Sequence, residues 1–202
     1  MTLDDLRAAL AAVPGKDWLD DALARVRTDP DAAGPLFARA ERKLGRAPLA
    51  EGSAWTAGRA GRALLLAELA DPERIMTLYH QGDAAERLAV LATLPLLNIG
   101  DAGVPLLHDA LRTNDARLVA AALGPYAAHL DPAAWRQGVV KCVFMGIPLS
   151  AVDRLDDRAD TQLGTMLAAL AAERAAAGRR MPQDALALLN RLTVANSERK
   201  QA

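Results

Sequence analysis

The chain has 202 residues, of which 51% are hydrophobic and 24% charged, and its formal net charge is −1 at pH 7. This balance excludes a disordered chain, and the length suits one domain with a single core or one helical array. The near-neutral charge, with Arg interleaved among Asp and Glu, excludes nucleic acid as the expected partner. Because only 3% of the residues are aromatic, the core must consist mainly of Leu, Ala and Val, and this composition favours helices.

The apolar periodicity predicts helices along the whole chain and no strand. The predicted helices cover 2–12, 16–28, 30–43, 53–69, 72–80, 83–94, 102–113, 115–130, 132–145, 156–177 and 182–192. Three of them start at an Asp-Pro pair, in which the acid suits the N-cap and the proline the first helical position. These pairs are Asp29-Pro30, Asp71-Pro72 and Asp131-Pro132. The stretch 45–52, with two glycines at its ends and a proline inside, is predicted to be a loop.

A near-repeat in the middle of the chain predicts how the helices are arranged. The segment that starts at Asp83 returns at Asp115 with a similar pattern, roughly 30 residues later, which is a period typical of helical repeats. We therefore predict an all-α fold in which residues 53–192 form a HEAT-like α-solenoid of antiparallel helix pairs. Residues 1–45 are predicted to form an N-terminal helical cap and residues 193–202 a frayed tail.

Several features predict a soluble, cytoplasmic protein. The first residues, Met1 to Leu6, are acidic and amphipathic, unlike a signal peptide. The longest apolar runs are far shorter than the roughly 20 residues of a membrane-spanning helix. The single cysteine, Cys142, has no internal disulfide partner, which agrees with a reducing compartment.

The predicted helix 132–145 carries the most informative polar residues. Its apolar residues lie nearly all round the helix, a pattern typical of a buried helix, yet it also carries Arg136, Gln137 and Lys141. A buried cation needs a carboxylate, a C-terminal carbonyl of a helix or an anionic ligand. Two interpretations stay open, a ligand site or a structural ion pair with one of four acids, which are Glu86, Asp101, Asp109 and Asp115.

Two further features each have a structural and a functional interpretation. Asn114 and Asp115, which follow Arg112, are typical helix-capping residues, but loops at the rim of a repeat array also form binding surfaces. Tyr126 lies in an apolar stripe, so its ring is predicted to belong to the core, with a polar role in a ligand pocket as the alternative.

Catalysis by the cysteine or by a metal is disfavoured. Cys142 has apolar neighbours, which should raise the pKa of its thiol. The three histidines, His80, His108 and His129, fall on separate predicted helices and have no metal-ligand spacing. We therefore predict no metal and no cofactor.

Several short segments together resemble the EboA family. These segments are Gly82 to Arg87, Gly100 to Gly103, Leu111 to Arg117, Gly124 to Ala127, Trp135 to Gln137 and Lys141 to Phe144. The resemblance implies a cytoplasmic helical protein of bacteria. In that family the gene lies beside those of a membrane prenyltransferase, a dehydroquinate-synthase-like enzyme and metal-dependent barrel proteins. This cluster is linked to the traffic or maturation of small metabolites, and the resemblance supplies no catalytic residues.

We therefore predict a non-catalytic accessory or adaptor protein that binds a partner enzyme, the membrane prenyltransferase among the candidates, or a small molecule on a helical-repeat surface. The alternative is an enzyme or carrier for a small prenylated or cyclitol-like metabolite in a pocket around Lys141. The candidate binding residues are Lys141, Arg136, Gln137, Asn114, Asp115, Arg112 and Tyr126. A deep pocket would favour the enzyme or carrier, and a flat polar groove the adaptor.

Overall fold

The structure, a computed structural model, describes the backbone of residues 1–201 and the side chains of residues 1–194. Its α-helices are α1 (Leu3–Leu10), α2 (Lys16–Thr28), α3 (Ala33–Leu44), α4 (Ala57–Leu69), α5 (Pro72–Gln81), α6 (Ala84–Thr93), α7 (Val104–Arg112), α8 (Ala116–Ala122), α9 (Pro132–Met145), α10 (Leu155–Arg158), α11 (Thr161–Ala176) and α12 (Gln183–Gln201). The described backbone contains no strand, only an isolated bridge between Pro48 and Thr56. The predicted all-α class is confirmed, whereas the HEAT-like stacking of antiparallel pairs stays a prediction.

The chain divides into two compact units, Met1–Leu106 and Leu107–Ala202. The predicted cap over 1–45 and repeat region over 53–192 stay predictions, as does the tail over 193–202, most of which lies outside the described side chains. None of the described helices is long and apolar enough to cross a membrane.

In the first unit, α4 is the central helix, because ten of its thirteen residues are buried. It packs against α1, α2, α3 and α6. Two glycines allow α3 to approach closely. A Cβ atom at Gly58 would lie 2.7 Å from Glu41 Cα, and one at Gly61 would collide with Leu44 Cδ1. The packing of α3 on α4 therefore depends on the absence of side chains at both positions.

In the second unit, α9 packs against α8 and α11, and α11 packs against α12. Gly138 of α9 makes room for Leu111 of α7 and for Leu123, which directly follows α8. A Cβ atom at Gly138 would lie 2.9 Å from Leu123 Cδ2 and 3.2 Å from Leu111 Cδ2. This close packing fixes the position of α9, which carries most of the candidate site residues.

Two of the three predicted Asp-Pro caps form as expected. The carboxylate of Asp71 accepts from the N–H groups at the start of α5, and that of Asp131 does the same for α9. Asp29 differs, because its side chain makes no capping hydrogen bond and Pro30 opens a short 3₁₀ turn that leads into α3.

Several predicted helix bounds were wrong for local reasons. The predicted helix 115–130 ends at Ala122, because Pro125 lacks the N–H that would continue it, and a 3₁₀ helix, Pro125–His129, follows. The predicted helix 156–177 is divided into α10 and α11, where the side chain of Asp160 accepts from Leu163 N and caps α11. The helix α4 begins four residues later than predicted, and α12 continues to Gln201 rather than ending at 192.

Candidate functional site

The burial of α9 is less complete than its sequence predicts. Trp135, Val139 and Cys142 are buried as expected, but Phe144 is 63% exposed. The elements packed most closely on α9 are α8, α11 and the turn 149–151, which leave another face of the helix open. The prediction that burial extends all round the helix was therefore wrong. Burial raises the pKa of the Cys142 thiol to about 11, in the predicted direction.

Lys141 is half-buried on α9, and its ammonium is held by a backbone carbonyl rather than a carboxylate. Its Nζ donates to the Leu111 carbonyl oxygen at 2.7 Å. Leu111 lies in the last turn of α7, where carbonyl groups have no partner within the helix and attract positive charge. None of the four acids predicted as partners forms an ion pair with Lys141 among the described side chains.

Lys141 lines a cavity of about 360 Å³ together with two other predicted residues, Arg112 and Gln137. The remaining lining residues are His108, Leu111, Ala134 and Gly138. The small residues on α9 leave space between the longer polar side chains. A volume of this size is at the lower end of the range for small-molecule sites.

The lining of this cavity carries two formal positive charges, on Arg112 and Lys141. Arg112 is largely exposed and pairs with Asp109 at 3.3 Å, so its charge is partly balanced. The pKa of Asp131 lies below its ordinary value, mainly because Ala134 N–H donates to the carboxylate, and nearby His108 lowers it further. Lys141 is the member of the group that no described carboxylate balances. His108 was not predicted as a site residue, because one histidine on an apolar helix gives no distinctive spacing.

Arg136 lies on α9 but does not line this cavity. Its Nε donates to both carboxylate oxygens of Asp160, at 3.1 Å and 3.0 Å. The predicted partners of Arg136 were therefore wrong. Burial acts to raise the pKa of Asp160, but the N–H of Leu163 and the Arg136 guanidinium outweigh it and hold the pKa below its ordinary value. This pair links α9 to the start of α11.

The other predicted residues lie outside the cavity lining. Asp115 caps α8 by accepting from Arg117 N, and its carboxylate also accepts from the Arg117 guanidinium, which lowers the pKa of Asp115. Asn114 is exposed beside it. Tyr126 is 4% exposed, and its ring lies 4.7 Å from that of His129. The structure thus brings together three of the seven candidates, Lys141, Gln137 and Arg112.

A second buried cation, Arg62 of α4, was not predicted from the sequence. It is 4% exposed, and its guanidinium donates to the Phe37 carbonyl at 3.1 Å, to Glu41 at 3.1 Å and to Glu86 at 3.4 Å. We call Arg62, Glu41 and Glu86 the Arg62 network. Its sequence signal is an arginine between small and apolar residues of one helix, in Ala60-Gly61-Arg62-Ala63-Leu64.

The chemistry available at the Lys141 cavity is recognition of an anion. Lysine and arginine supply charged donors, and the Gln137 amide can both donate and accept. In the described part of the chain, no group of three His, Cys, Asp or Glu side chains could hold a metal ion.

Comparison with known proteins assigns the family. A family model described as metabolite traffic protein EboA matches residues 45–190, which is more than half of the 202-residue chain. The matched region contains every residue that lines the Lys141 cavity. No curated protein and no solved structure matches the chain.

Proposed function

This chain belongs to the EboA family, and from that premise we propose that it serves metabolite traffic by binding a small anionic metabolite in the Lys141 cavity. The observation that carries the proposal is the half-buried ammonium of Lys141, which donates to the Leu111 carbonyl and has no ion pair with any described carboxylate. The ligand would be held without being transformed, for delivery to a partner enzyme of the same gene cluster.

The donor count favours an anion as the ligand. An ammonium has three N–H donors, of which the Leu111 carbonyl uses one. A carboxylate or phosphate oxygen at Lys141 would form a charge-assisted hydrogen bond and balance a charge that is partly withdrawn from water. Arg112 and Gln137 line the same cavity, so they would supply further donors to the same ligand.

The lining residues favour binding over catalysis. The described lining contains no hydroxyl, thiol or carboxylate side chain. Its two nitrogen groups that enzymes also use as nucleophiles are Lys141, which is engaged with the Leu111 carbonyl, and His108. Cys142 follows Lys141 in sequence, but it is fully buried, and burial raises the pKa of its thiol to about 11, which disfavours the reactive thiolate. These features support an accessory role in which the protein holds a metabolite.

Thermal melts with inorganic phosphate as the probe test this proposal. Phosphate that binds only the folded protein should raise the melting temperature of the wild type, since about a hundredfold excess over Kd stabilises a protein by roughly 2.7 kcal/mol. Lys141→Met should abolish the rise. Lys43→Met is the matched control, because it removes the same charge from an exposed position on α3, and it should keep the wild-type response.

Sodium chloride at equal ionic strength separates specific binding from a general salt effect. The absence of a phosphate-specific rise in the wild type would contradict the proposal. An equal rise in wild type and Lys141→Met would show that phosphate binds elsewhere.

A further inference from the structure

We infer that the anionic ligand carries a compact, ring-sized apolar group directly beside its charged group, and that this apolar group packs on Phe144. The inference rests on the proposed function, because it names the class of ligand for the same cavity. It follows from the position of one exposed aromatic side chain relative to Lys141.

Phe144 is unusual among the exposed apolar residues. The large hydrophobic side chains that are exposed in the described part of the chain are Met1, Phe144, Leu186 and Val194. Phe144 is the aromatic one of the four, and it lies in the last turn of a helix whose opposite side is fully buried. Exposure of a single apolar residue is ordinary, so the argument depends on what lies next to it.

Phe144 shares a helix face with the polar residues of the cavity. Gln137, Lys141 and Phe144 follow one another at i, i+4 and i+7, which places them along one side of α9. Val140 and Met145, both half-buried, flank this stripe. Phe144 therefore follows Lys141 on the same side of α9, just beyond the residues that line the cavity.

The helix geometry limits the shape of the ligand. Three residues of an α-helix rise by about 4.5 Å, so the backbone positions of Lys141 and Phe144 are slightly less than one turn apart along the axis of α9. A ring attached directly to a phosphate or carboxylate is similar in size to this spacing, whereas a long polar spacer would put polar atoms rather than apolar ones against Phe144. An aromatic ring would also gain offset or edge contacts with Phe144.

Because the positively charged Lys141 lies on the same side of α9 as Phe144, the ligand expected there is a small anion that also has an apolar group. Covering Phe144 with an apolar group removes its surface from water, and the same ligand balances Lys141 with its anionic group. A neutral apolar partner would cover Phe144 but would not balance the charge of Lys141. The pairing of ring and charge on one face is thus explained by one ligand that contains both features.

Calorimetric titration with three probes tests the inference. Inorganic phosphate, methyl phosphate and phenyl phosphate share the charged group and differ in the apolar group. For the wild type we expect phenyl phosphate to bind about threefold to tenfold more tightly than methyl phosphate, the gain expected for one aromatic pair. Phe144→Ser should bind inorganic phosphate like the wild type but lose the preference for phenyl phosphate. Leu186→Ser is the matched control, since it removes an exposed hydrophobic side chain from α12, and it should keep the preference.

Each other outcome overturns a defined part of the account. Equal affinity for all three probes, or a phenyl preference that persists in Phe144→Ser, overturns the inference and leaves the proposed anion site intact. Failure of every probe to bind overturns the proposed function itself. Analytical ultracentrifugation of the wild type and Phe144→Ser tests whether a second copy of the chain covers Phe144 instead. If the wild type is a dimer and Phe144→Ser is a monomer, Phe144 belongs to a contact between two copies, which overturns the inference.

Discussion

The two units each contain a cation withdrawn from water, and the two cations are balanced differently. In the first unit, the guanidinium of Arg62 meets the carboxylates of Glu41 and Glu86 as well as a backbone carbonyl. In the second unit, the ammonium of Lys141 meets only the carbonyl of Leu111 among the described groups. A balanced buried cation contributes to the fold, whereas an unbalanced half-buried cation beside a cavity is suited to an external anion.

This difference distinguishes a cation that stabilises the fold from one that is available to a ligand, which composition alone cannot do. Breaking a buried ion pair strands a charge, which is strongly destabilising. A lysine that donates to the end of a helix forms a weaker and more replaceable contact. Mutations at the two positions should therefore differ in their effects on stability and on ligand binding.

The largest effect is expected when the Arg62 network is broken. Arg62→Met leaves Glu41 and Glu86 without their shared partner, so the free energy of unfolding should fall by about 3 to 5 kcal/mol. Urea denaturation measures this change. Arg39→Met is the control, because Arg39 is exposed on α3, and it should change stability little. A small loss for Arg62→Met would remove the contrast between the two cations.

The next effect tests whether close helix packing holds the network in place. Gly58→Ala would put a Cβ atom 2.7 Å from Glu41 Cα, so α3 must move away from α4 and carry Glu41 with it. Overpacking of this kind costs about 1 to 3 kcal/mol. Gly34→Ala is the control, because its Cβ atom would lie an ordinary 3.8 Å from Leu78. Equal urea midpoints for the two variants would contradict the packing argument.

Lys141→Met should destabilise the empty protein less than Arg62→Met. It removes one hydrogen bond from a charged donor, worth about 1.5 to 3 kcal/mol, and leaves no carboxylate without its partner. The sequence had left open a buried pair with a carboxylate and a correspondingly large loss. If urea denaturation shows that the free energy of unfolding falls by about 3 to 5 kcal/mol, Lys141 has a carboxylate partner and its role is structural.

The smallest effect concerns the half-exposed pair of Arg136 and Asp160. The pKa of Asp160 is lowered in the folded protein from an ordinary value of 3.8. Its ionisation therefore stabilises the fold above that pH, and this contribution is lost as the pH falls towards the lowered pKa. In urea denaturation series, Asp160→Asn should be less stable than the wild type at neutral pH, and the gap should narrow in acid. A gap that is constant with pH would contradict the assignment.

The sequence predicted the helices well because most of their signals are local. Asp71 and Asp131 cap helices as expected, since a carboxylate before a proline acts within its own turn. The main errors are also local, at Pro125 and Asp160, where an apolar stripe continued through residues that interrupt the backbone. Periodicity reports the face of a helix and is less sensitive to its ends.

The sequence predicted the part of the site that lies on one helix, because spacing within a helix shows which residues share a face. Lys141 and Gln137 share a face of α9 at four-residue spacing, and the structure keeps them together with Arg112. The partners of Arg136 and Arg62 lie 24 and 21 residues away along the chain, at Asp160 and Glu41. Pairings of this kind depend on how helices pack, which neither periodicity nor spacing within one helix reports.

The central claim is that an anion binds beside Lys141 and not at the Arg62 network, and an NMR titration with inorganic phosphate tests it directly. Amide ¹H–¹⁵N spectra of the wild type should show saturable shifts for residues 108–112 and 134–141, and none for 37–41, 59–62 or the Glu86 amide. Lys141→Met should show no saturable shifts. Shifts centred on Arg62, or a spectrum that phosphate leaves unchanged, would contradict the account.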